Sequence, residues 1–301
     1  MKNIRYDFLT RSKIIYAKKR GSRPNHFIKE KVKSVPKYRE NCPFCVGNED
    51  MTPDKITEFE NPYGIKIISN KYPAVSTMDS ETYGMHYVII EDKNHNGDEY
   101  KLSRDKFYYI LKAYKSAISE MEKDSKIKYI QIFKNHKEYG GASLEHPHSQ
   151  IIAFDEVPDK IIALCGDECY LCNEIRNEVD LKLRVIARND DFIAYCPYAS
   201  MSGYQVRIAA INHKSYLADF DNGVLHSLAE IYTLCLNAIK SILGNFPYNL
   251  LVYSYNHDSF HFFMDIVPRL ANFGGLELST GMSINSKFPE EAAEELKEYT
   301  C

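Results

Sequence analysis

The sequence predicts a mixed helix-and-strand fold made of two tandem units that run through the same elements in the same order. Three observations carry this expectation. Each half holds a Cys-x-x-Cys pair, Cys42/Cys45 and Cys169/Cys172. Each pair is followed by a strand that exits at an Asn-His step, Asn94-His95 and Asn212-His213. Each half then has one long stretch of helical periodicity, a return strand and a further histidine, His146 or His261. The spacings agree: 53 and 51 residues separate Cys42, His95 and His146 in turn, against 44 and 48 for Cys169, His213 and His261.

Composition narrows the function classes. The chain has 301 residues, 44% of them hydrophobic, which is ample for a packed core. A net charge of -3 argues against a general nucleic-acid binder, whose surface would be strongly basic. No stretch reaches the apolar length of a membrane span, and the start, Met1 to Asp7, lacks the apolar segment of a signal peptide. A cytoplasmic protein with no membrane partner is expected. Eight cysteines in that compartment are not expected to pair as disulfides. The two Cys-x-x-Cys pairs point to metal, and Cys165, Cys196, Cys235 and Cys301 read as ordinary thiols.

Taken in order, residues 1–35 are basic, with Arg11, Lys13, Lys18, Lys19, Arg20 and Arg23. Asp7 to Thr10 and Ile14 to Ala17 suggest strand, and Arg20-Gly21-Ser22-Arg23-Pro24 a loop. The basic run is either a solvated face or an anion-binding arm, arginine being suited to phosphate oxygens. Cys42-Pro43-Phe44-Cys45 followed by Gly47 has the form of a zinc knuckle. A redox pair is the competing reading, disfavoured because no thioredoxin-type helix pattern follows. Ile65 to Ser69 and His86 to Glu91 are strand-like, and Ser103 to Asp124 has helical spacing with Ser103 as N-cap. Lys126 to Phe133 returns as a strand. In the second half Leu183 to Tyr195 gives two strands, Val206 to Ile211 one, Val224 to Leu243 a helix and Leu250 to Tyr255 the return strand.

The return strand of the first half leads into Gly140-Gly141-Ala142-Ser143-Leu144-Glu145-His146-Pro147-His148-Ser149-Gln150. The glycines let backbone approach a ligand closely. Pro147 biases His146 to an extended conformation, which puts His146, His148 and Gln150 on one side. Imidazole serves as metal ligand or as nucleophile. The two halves differ here in an informative way. Cys42, Cys45, His95 and His146 have counterparts in Cys169, Cys172, His213 and His261, all residue types suited to tetrahedral zinc. His148 has none, because Phe263 stands two residues after His261. His148 is therefore the imidazole free to do chemistry, in one half only.

These residues resemble the galactose-1-phosphate uridylyltransferase family of the histidine-triad superfamily, including its ADP-glucose phosphorylase relatives. The resemblance rests on Asp7-x-Leu9-Thr10, Arg20-x-x-Arg23-Pro24, Cys42-Pro43-Phe44-Cys45-x-Gly47-Asn48-Glu49, Asn70-Lys71-Tyr72-Pro73-Ala74 and Gly141-Ala142-Ser143-x-x-His146-Pro147-His148-Ser149-Gln150. It closes with Pro268-Arg269-Leu270, Gly275-Leu276-Glu277 and Pro289 to Ala293. The resemblance implies an α+β fold of two tandem histidine-triad repeats, residues 1–160 and 161–301, each an antiparallel sheet with a packed helix. It implies zinc at Cys42, Cys45, His95 and His146, with a second site at Cys169, Cys172, His213 and His261. The family's nucleophile maps to His148 and its phosphate-binding residues to Ser143 and Gln150. Nucleotide contacts map to Arg20, Arg23, Asn70, Tyr72 and Asn135. A hexose-contacting glutamate maps to Glu277, which in dimeric relatives reaches the partner's site, so a homodimer is expected. The hexose segment departs from the galactose branch at Ser283, where one branch has glutamine, and at Leu276, where an aromatic is usual.

The expected reaction moves UMP or AMP between a nucleotide sugar and a sugar 1-phosphate or phosphate through a nucleotidyl-histidine. This is the ping-pong chemistry of a UDP-glucose–hexose-1-phosphate uridylyltransferase of galactose metabolism. Alternatives are an ADP-glucose phosphorylase-like or dinucleoside-polyphosphate phosphorylase or hydrolase. A zinc-stapled nucleotide-binding protein without activity is the non-enzymatic alternative.

Overall fold

The computed structural model describes residues 2–22, 35–57, 59–98, 101–272 and 274–300. Arg23, assigned above to nucleotide contact, and Cys301 lie outside the described residues, as does Pro24. The strands of the first half are β1 (Ile4–Asp7), β2 (Ser12–Tyr16), β3 (Lys55–Thr57), β4 (Lys66–Ser69), β5 (Gly84–Ile90), β6 (Tyr129–His136) and β7 (His148–Phe154). Those of the second are β8 (Val185–Arg188), β9 (Phe192–Tyr195), β10 (Val206–Ala210), β11 (Tyr248–Tyr253), β12 (Phe263–Pro268) and β13 (Met282–Asn285). The helices are α1 (Arg104–Met121), α2 (Asp159–Ile162), α3 (Tyr170–Leu181), α4 (Asn222–Leu243), α5 (Gly275–Thr280) and α6 (Pro289–Lys297).

Ten strands form one continuous sheet in the order β3-β4-β5-β7-β6-β11-β12-β10-β9-β8. The expected repeat is visible in that order. β4-β5-β7-β6 is mirrored by β9-β10-β12-β11, and the halves meet where β6 pairs antiparallel with β11. Each half supplies one long helix, α1 or α4, to the same face of the sheet. Ser103 starts α1 by accepting a hydrogen bond from the Lys106 amide at 3.2 Å, and Asp221 starts α4 by accepting from the Val224 amide at 2.9 Å. The helical spacing of Phe107, Ile110, Leu111, Tyr114, Ala117, Ile118 and Met121 is buried as expected. Phe107 of α1 stacks on Tyr232 of α4 with ring centroids 3.8 Å apart. One hydrophobic core thus runs under both halves, from Ile67, Ile89 and Ile151 to Ile208, Met264 and Ile266.

Three segments differ from the sequence reading. Of Asp7 to Thr10, expected as strand, only Asp7 belongs to β1; the rest is the turn that follows it, with the Leu9 and Thr10 amides donating to Asp7 Oδ1 at 2.9 and 3.3 Å. The expected loop after the N-terminal strands is a short 3-10 turn over Lys18–Ser22 as far as it is described. Cys169/Cys172 is not a second knuckle of the first kind: Cys169 is the N-cap of α3, its sulfur accepting from the Cys172 amide at 3.4 Å, so Cys172 sits in the first helical turn. A separate three-stranded sheet, β1-β2-β13, joins the two ends of the chain, with β13 parallel to β2. Arg5 ties it to the second half through Glu290 at 2.9 Å.

Candidate active site

The two Cys2His2 sets assemble as four-donor clusters. In each, one ligand atom from every residue lies within 4.8 Å of all the others. His146 turns Nδ1 toward the sulfurs of Cys42 and Cys45, both at 3.7 Å, and His95 Nδ1 lies 3.6 Å from Cys45. In the second cluster His261 Nδ1 lies 3.4 Å from Cys169 and 3.3 Å from Cys172, and His213 Nδ1 lies 3.3 Å from Cys172. A tetrahedral zinc, with sulfur at ~2.3 Å and nitrogen at ~2.0–2.1 Å, would hold those atoms about 3.6 Å apart. Both sets therefore fit a metal of that kind. The far ring nitrogens are fixed as donors: His146 Nε2 to the Asp92 carbonyl at 2.7 Å, His261 Nε2 to Ala210 at 2.7 Å and His213 Nε2 to Asp258 at 3.0 Å. Carbonyls only accept, so each Nδ1 keeps its lone pair for the cluster. The first cluster is fully buried; in the second, His213 is exposed and the cysteines half-buried. Burial pushes His146 and His261 each down to about 4, which keeps both imidazoles neutral.

His148 opens β7 two residues past the first cluster. Its Nδ1 donates to the His146 backbone carbonyl at 2.8 Å. Nε2 is left with the lone pair, and burial lowers the ring's affinity for a proton. Phe44, inside the Cys-x-x-Cys loop, meets the rings of His146 and His148 at 6.0 and 5.4 Å. Residues alternate across the sheet. Ser149 and Ile151 follow the helix side, whereas Phe44 packs with Ile68, Val88 and Ile90 on the other side, beside His148. A cavity of about 340 Å³ opens there, lined by Phe44, Ile68, Ile90, Glu49, Asp54 and Lys66. It offers an apolar floor with charged groups at the rim, next to an imidazole with a free lone pair.

Gln150 shares the His148 face, and its carboxamide oxygen accepts from His86 Nε2 at 2.8 Å. Asn70 folds its own loop by accepting from the Tyr72 amide at 2.9 Å, which leaves the Tyr72 side chain 82% exposed. Asn135 accepts from Asn249 Nδ2 at 2.8 Å, and the same amide group donates to the Gly140 carbonyl at 2.6 Å. Arg269 in turn donates to Asn249 at 2.9 Å. The glycines of this loop serve packing: a Cβ on Gly140 would come within 2.8 Å of the Tyr248 carbonyl, and Gly141 has a φ of +89°. Ser143 is exposed on the same loop. Asn70, Asn135, Ser143, His148 and Gln150 are thus gathered on the loops and strands around β7. Arg20 and Glu277 are not. Arg20 lies on the turn beside β13, where Gly21 approaches Ser286. Glu277 caps α5 by accepting from the Gly274 amide at 2.8 Å.

A family model described as the N-terminal domain of a domain of unknown function, DUF4931, matches residues 25–157. The chain is 29% identical to ADP-glucose phosphorylase of Arabidopsis thaliana, covering 99% of this chain and 93% of that one. It is 24% identical to galactose-1-phosphate uridylyltransferase of Thermotoga maritima, covering 99% and 98%. The solved structure of the Arabidopsis ADP-glucose phosphorylase with bound ADP-glucose superposes with a TM-score of 0.83 at 28% identity, over 98% of both chains. The chain is a homologue of the galactose-1-phosphate uridylyltransferases and of ADP-glucose phosphorylase.

In the second half the corresponding face is covered. Phe263 opens β12 as His148 opens β7, and it is buried against Tyr253, ring centroids 4.2 Å apart. Asp265, in the place of Gln150, forms a bidentate pair with Arg207 at 2.8 and 2.9 Å. Glu174 of α3 and Asp7 close on the same guanidinium at 3.1 and 3.4 Å. Leu171 and Ile175 of α3, Ile161 of α2 and Leu9 cover this face with a second core. Sequence reading missed His86, Asn249 and the apolar trio Ile68, Val88 and Ile90. A histidine or asparagine within a strand carries no local signal; only the pairing of β5 with β7 and of β6 with β11 brings these side chains to the site.

Proposed function

We propose that this protein is a nucleotidyltransferase working through a covalent intermediate on His148. The Nε2 lone pair attacks the α-phosphorus of a nucleotide sugar. A P–N bond forms, the bridging P–O bond breaks, and sugar 1-phosphate leaves. An oxygen of the second substrate then attacks the same phosphorus. The P–N bond breaks and His148 returns neutral. The observation that carries this reading is the Nδ1 hydrogen bond to the His146 carbonyl, which presents the attacking nitrogen with its lone pair. Charge grows on the phosphoryl oxygens during transfer, and the amides of Gln150 and Asn135 and the Ser143 hydroxyl are the neighbouring donors.

The metal in this reading is zinc, with Cys42, Cys45, His95 and His146 as its first site and Cys169, Cys172, His213 and His261 as its second. A closed four-ligand zinc supplies structure rather than an open coordination position. At the first site it would anchor the backbone two residues from the nucleophile. The base is expected to rest on the Phe44–Ile68–Val88–Ile90 floor.

Likeness to the Arabidopsis enzyme across nearly the whole of both chains supports AMP as the group moved and phosphate as the acceptor. Ser283 and Leu276, which depart from the galactose branch, weigh against galactose as the sugar.

The test is intact-protein mass after incubation with ADP-glucose, and separately with UDP-glucose, without acceptor. The expected result is an increase of one AMP that is absent from His148→Gly and is discharged as ADP by phosphate. An increase of one UMP, discharged by hexose 1-phosphate, would restore the uridylyltransferase reading. No increase with either donor would overturn the covalent mechanism.

A further inference from the structure

His86 lies on β5, one diagonal step from Gln150, in the register that pairs Val88 with Gln150. It is buried, and among the described residues no charged side chain hydrogen-bonds to its ring. Three groups meet the imidazole. The Ala74 backbone amide points at Nδ1 at 3.1 Å. Gln150 Oε1 and Asn70 Nδ2 approach Nε2 at 2.8 and 3.1 Å. A backbone amide can only donate, so Nδ1 must carry the lone pair and Nε2 the proton. That proton goes to Gln150 Oε1. Asn70 Nδ2 is then a neighbour of the N–H rather than a partner, since Asn70 Oδ1 already accepts from Tyr72. The opposite tautomer would set two N–H groups against each other at Ala74.

A carboxamide has two orientations of nearly equal shape. With its oxygen engaged by His86, Gln150 must turn its NH2 away from the ring. We propose that His86 is a positioning residue: it selects the Gln150 orientation that offers two N–H donors to phosphoryl oxygens at His148, and it ties that orientation to the Asn70–Ala74 loop. This rests on the reading above, in which Gln150 donates to the transferred phosphate. The loop is locked to the same residue twice, by the Ala74 amide on the ring and by the Asn70 amide on the His86 carbonyl at 2.8 Å. Anything that moves the loop therefore moves the ring, and with it the donor at the phosphate.

The experiment compares the wild type with His86→Phe, His86→Gln, Gln150→Glu and the His86→Phe/Gln150→Glu double variant in single-turnover formation of the His148 adduct from ADP-glucose and from UDP-glucose. His86→Phe keeps the ring's shape and removes the donor. It is expected to slow adduct formation about 10- to 100-fold while donor KM changes by about threefold or less. His86→Gln restores a donor and is expected to recover most of the rate. Gln150→Glu has no N–H to present, so adding His86→Phe to it should cost little more. An undiminished rate in His86→Phe, or a full additional loss in the double variant, would overturn the proposal and leave the covalent mechanism standing. The ring 15N shifts of His86 give a readout independent of turnover. A protonated Nε2 beside an unprotonated Nδ1 is expected, and the reverse tautomer overturns the proposal even if neither nucleotide sugar is accepted.

Discussion

Phe263 holds in the second half the strand position that His148 holds in the first, and it is buried beneath the Arg207 guanidinium, which lies 4.9 Å from the ring centroid. The cluster histidine stands two residues before each, His146 and His261, but only the first half follows it with an imidazole. The Phe263 face is closed by α3 and by ion pairs centred on Arg207.

That burial makes Arg207 a structural residue. Arg207→Met would leave Asp265, Asp7 and Glu174 without their common partner, and removing one member of a buried pair costs about 3–5 kcal/mol. Urea unfolding should show a loss of that size, while the His148 adduct still forms below the transition. A neutral effect on stability would mean that the carboxylates find other partners.

The two halves should unfold as one. Phe107 and Tyr232 stack at the centre of a core shared by both. Phe107→Ala should cost about 3–5 kcal/mol and move one cooperative transition, read alike by far-ultraviolet circular dichroism and by tyrosine fluorescence. Two separated transitions would show that the repeats are independent units.

Metal loss should be ordered. The wild type is expected to carry two zinc equivalents, and Cys42→Ser and Cys172→Ser one each. Because His213 is exposed and the first cluster is buried, a chelator should strip the second site first. Zinc release followed by mass spectrometry of the metal should be biphasic, and the Cys172→Ser protein should show only the slow phase. Adduct formation should survive the fast phase and fall with the slow one.

Glu290 sets an acid limit on stability. Burial opposes its charge, but hydrogen bonds from Arg5 and Arg184, each at 2.9 Å, prevail and hold the carboxyl below its ordinary value. A depressed value in the folded state stabilises the protein above the unfolded carboxylate range, about pH 4.3. That contribution is lost as the pH falls through the folded value. Glu290→Gln should therefore cost about 1–3 kcal/mol at pH 7, with the gap to wild type narrowing below about pH 4. A gap independent of pH would assign the loss to packing.

The parts whose signal is local are legible along the chain. The N-cap Ser103 and the apolar stripes of α1 and α4 follow from spacing along one chain segment, whereas the Asp221 cap of α4 is seen only in the structure. The two cysteine pairs, the two Asn-His exits and the solitary His148 were legible because ligand chemistry needs particular residue types in a particular order. The rest depends on long-range pairing. Nothing in the repeat pattern says that β6 pairs with β11 to make one sheet of ten strands, or that β13 returns from the far end of the chain to lie parallel to β2. Nor does it say that α3 closes one face while its counterpart stays open, or that His86 and Asn249 reach the site from neighbouring strands. Those contacts join residues far apart in sequence. Their free energy comes from burial and hydrogen bonding that exist only once the sheet has formed, so no local pattern encodes them.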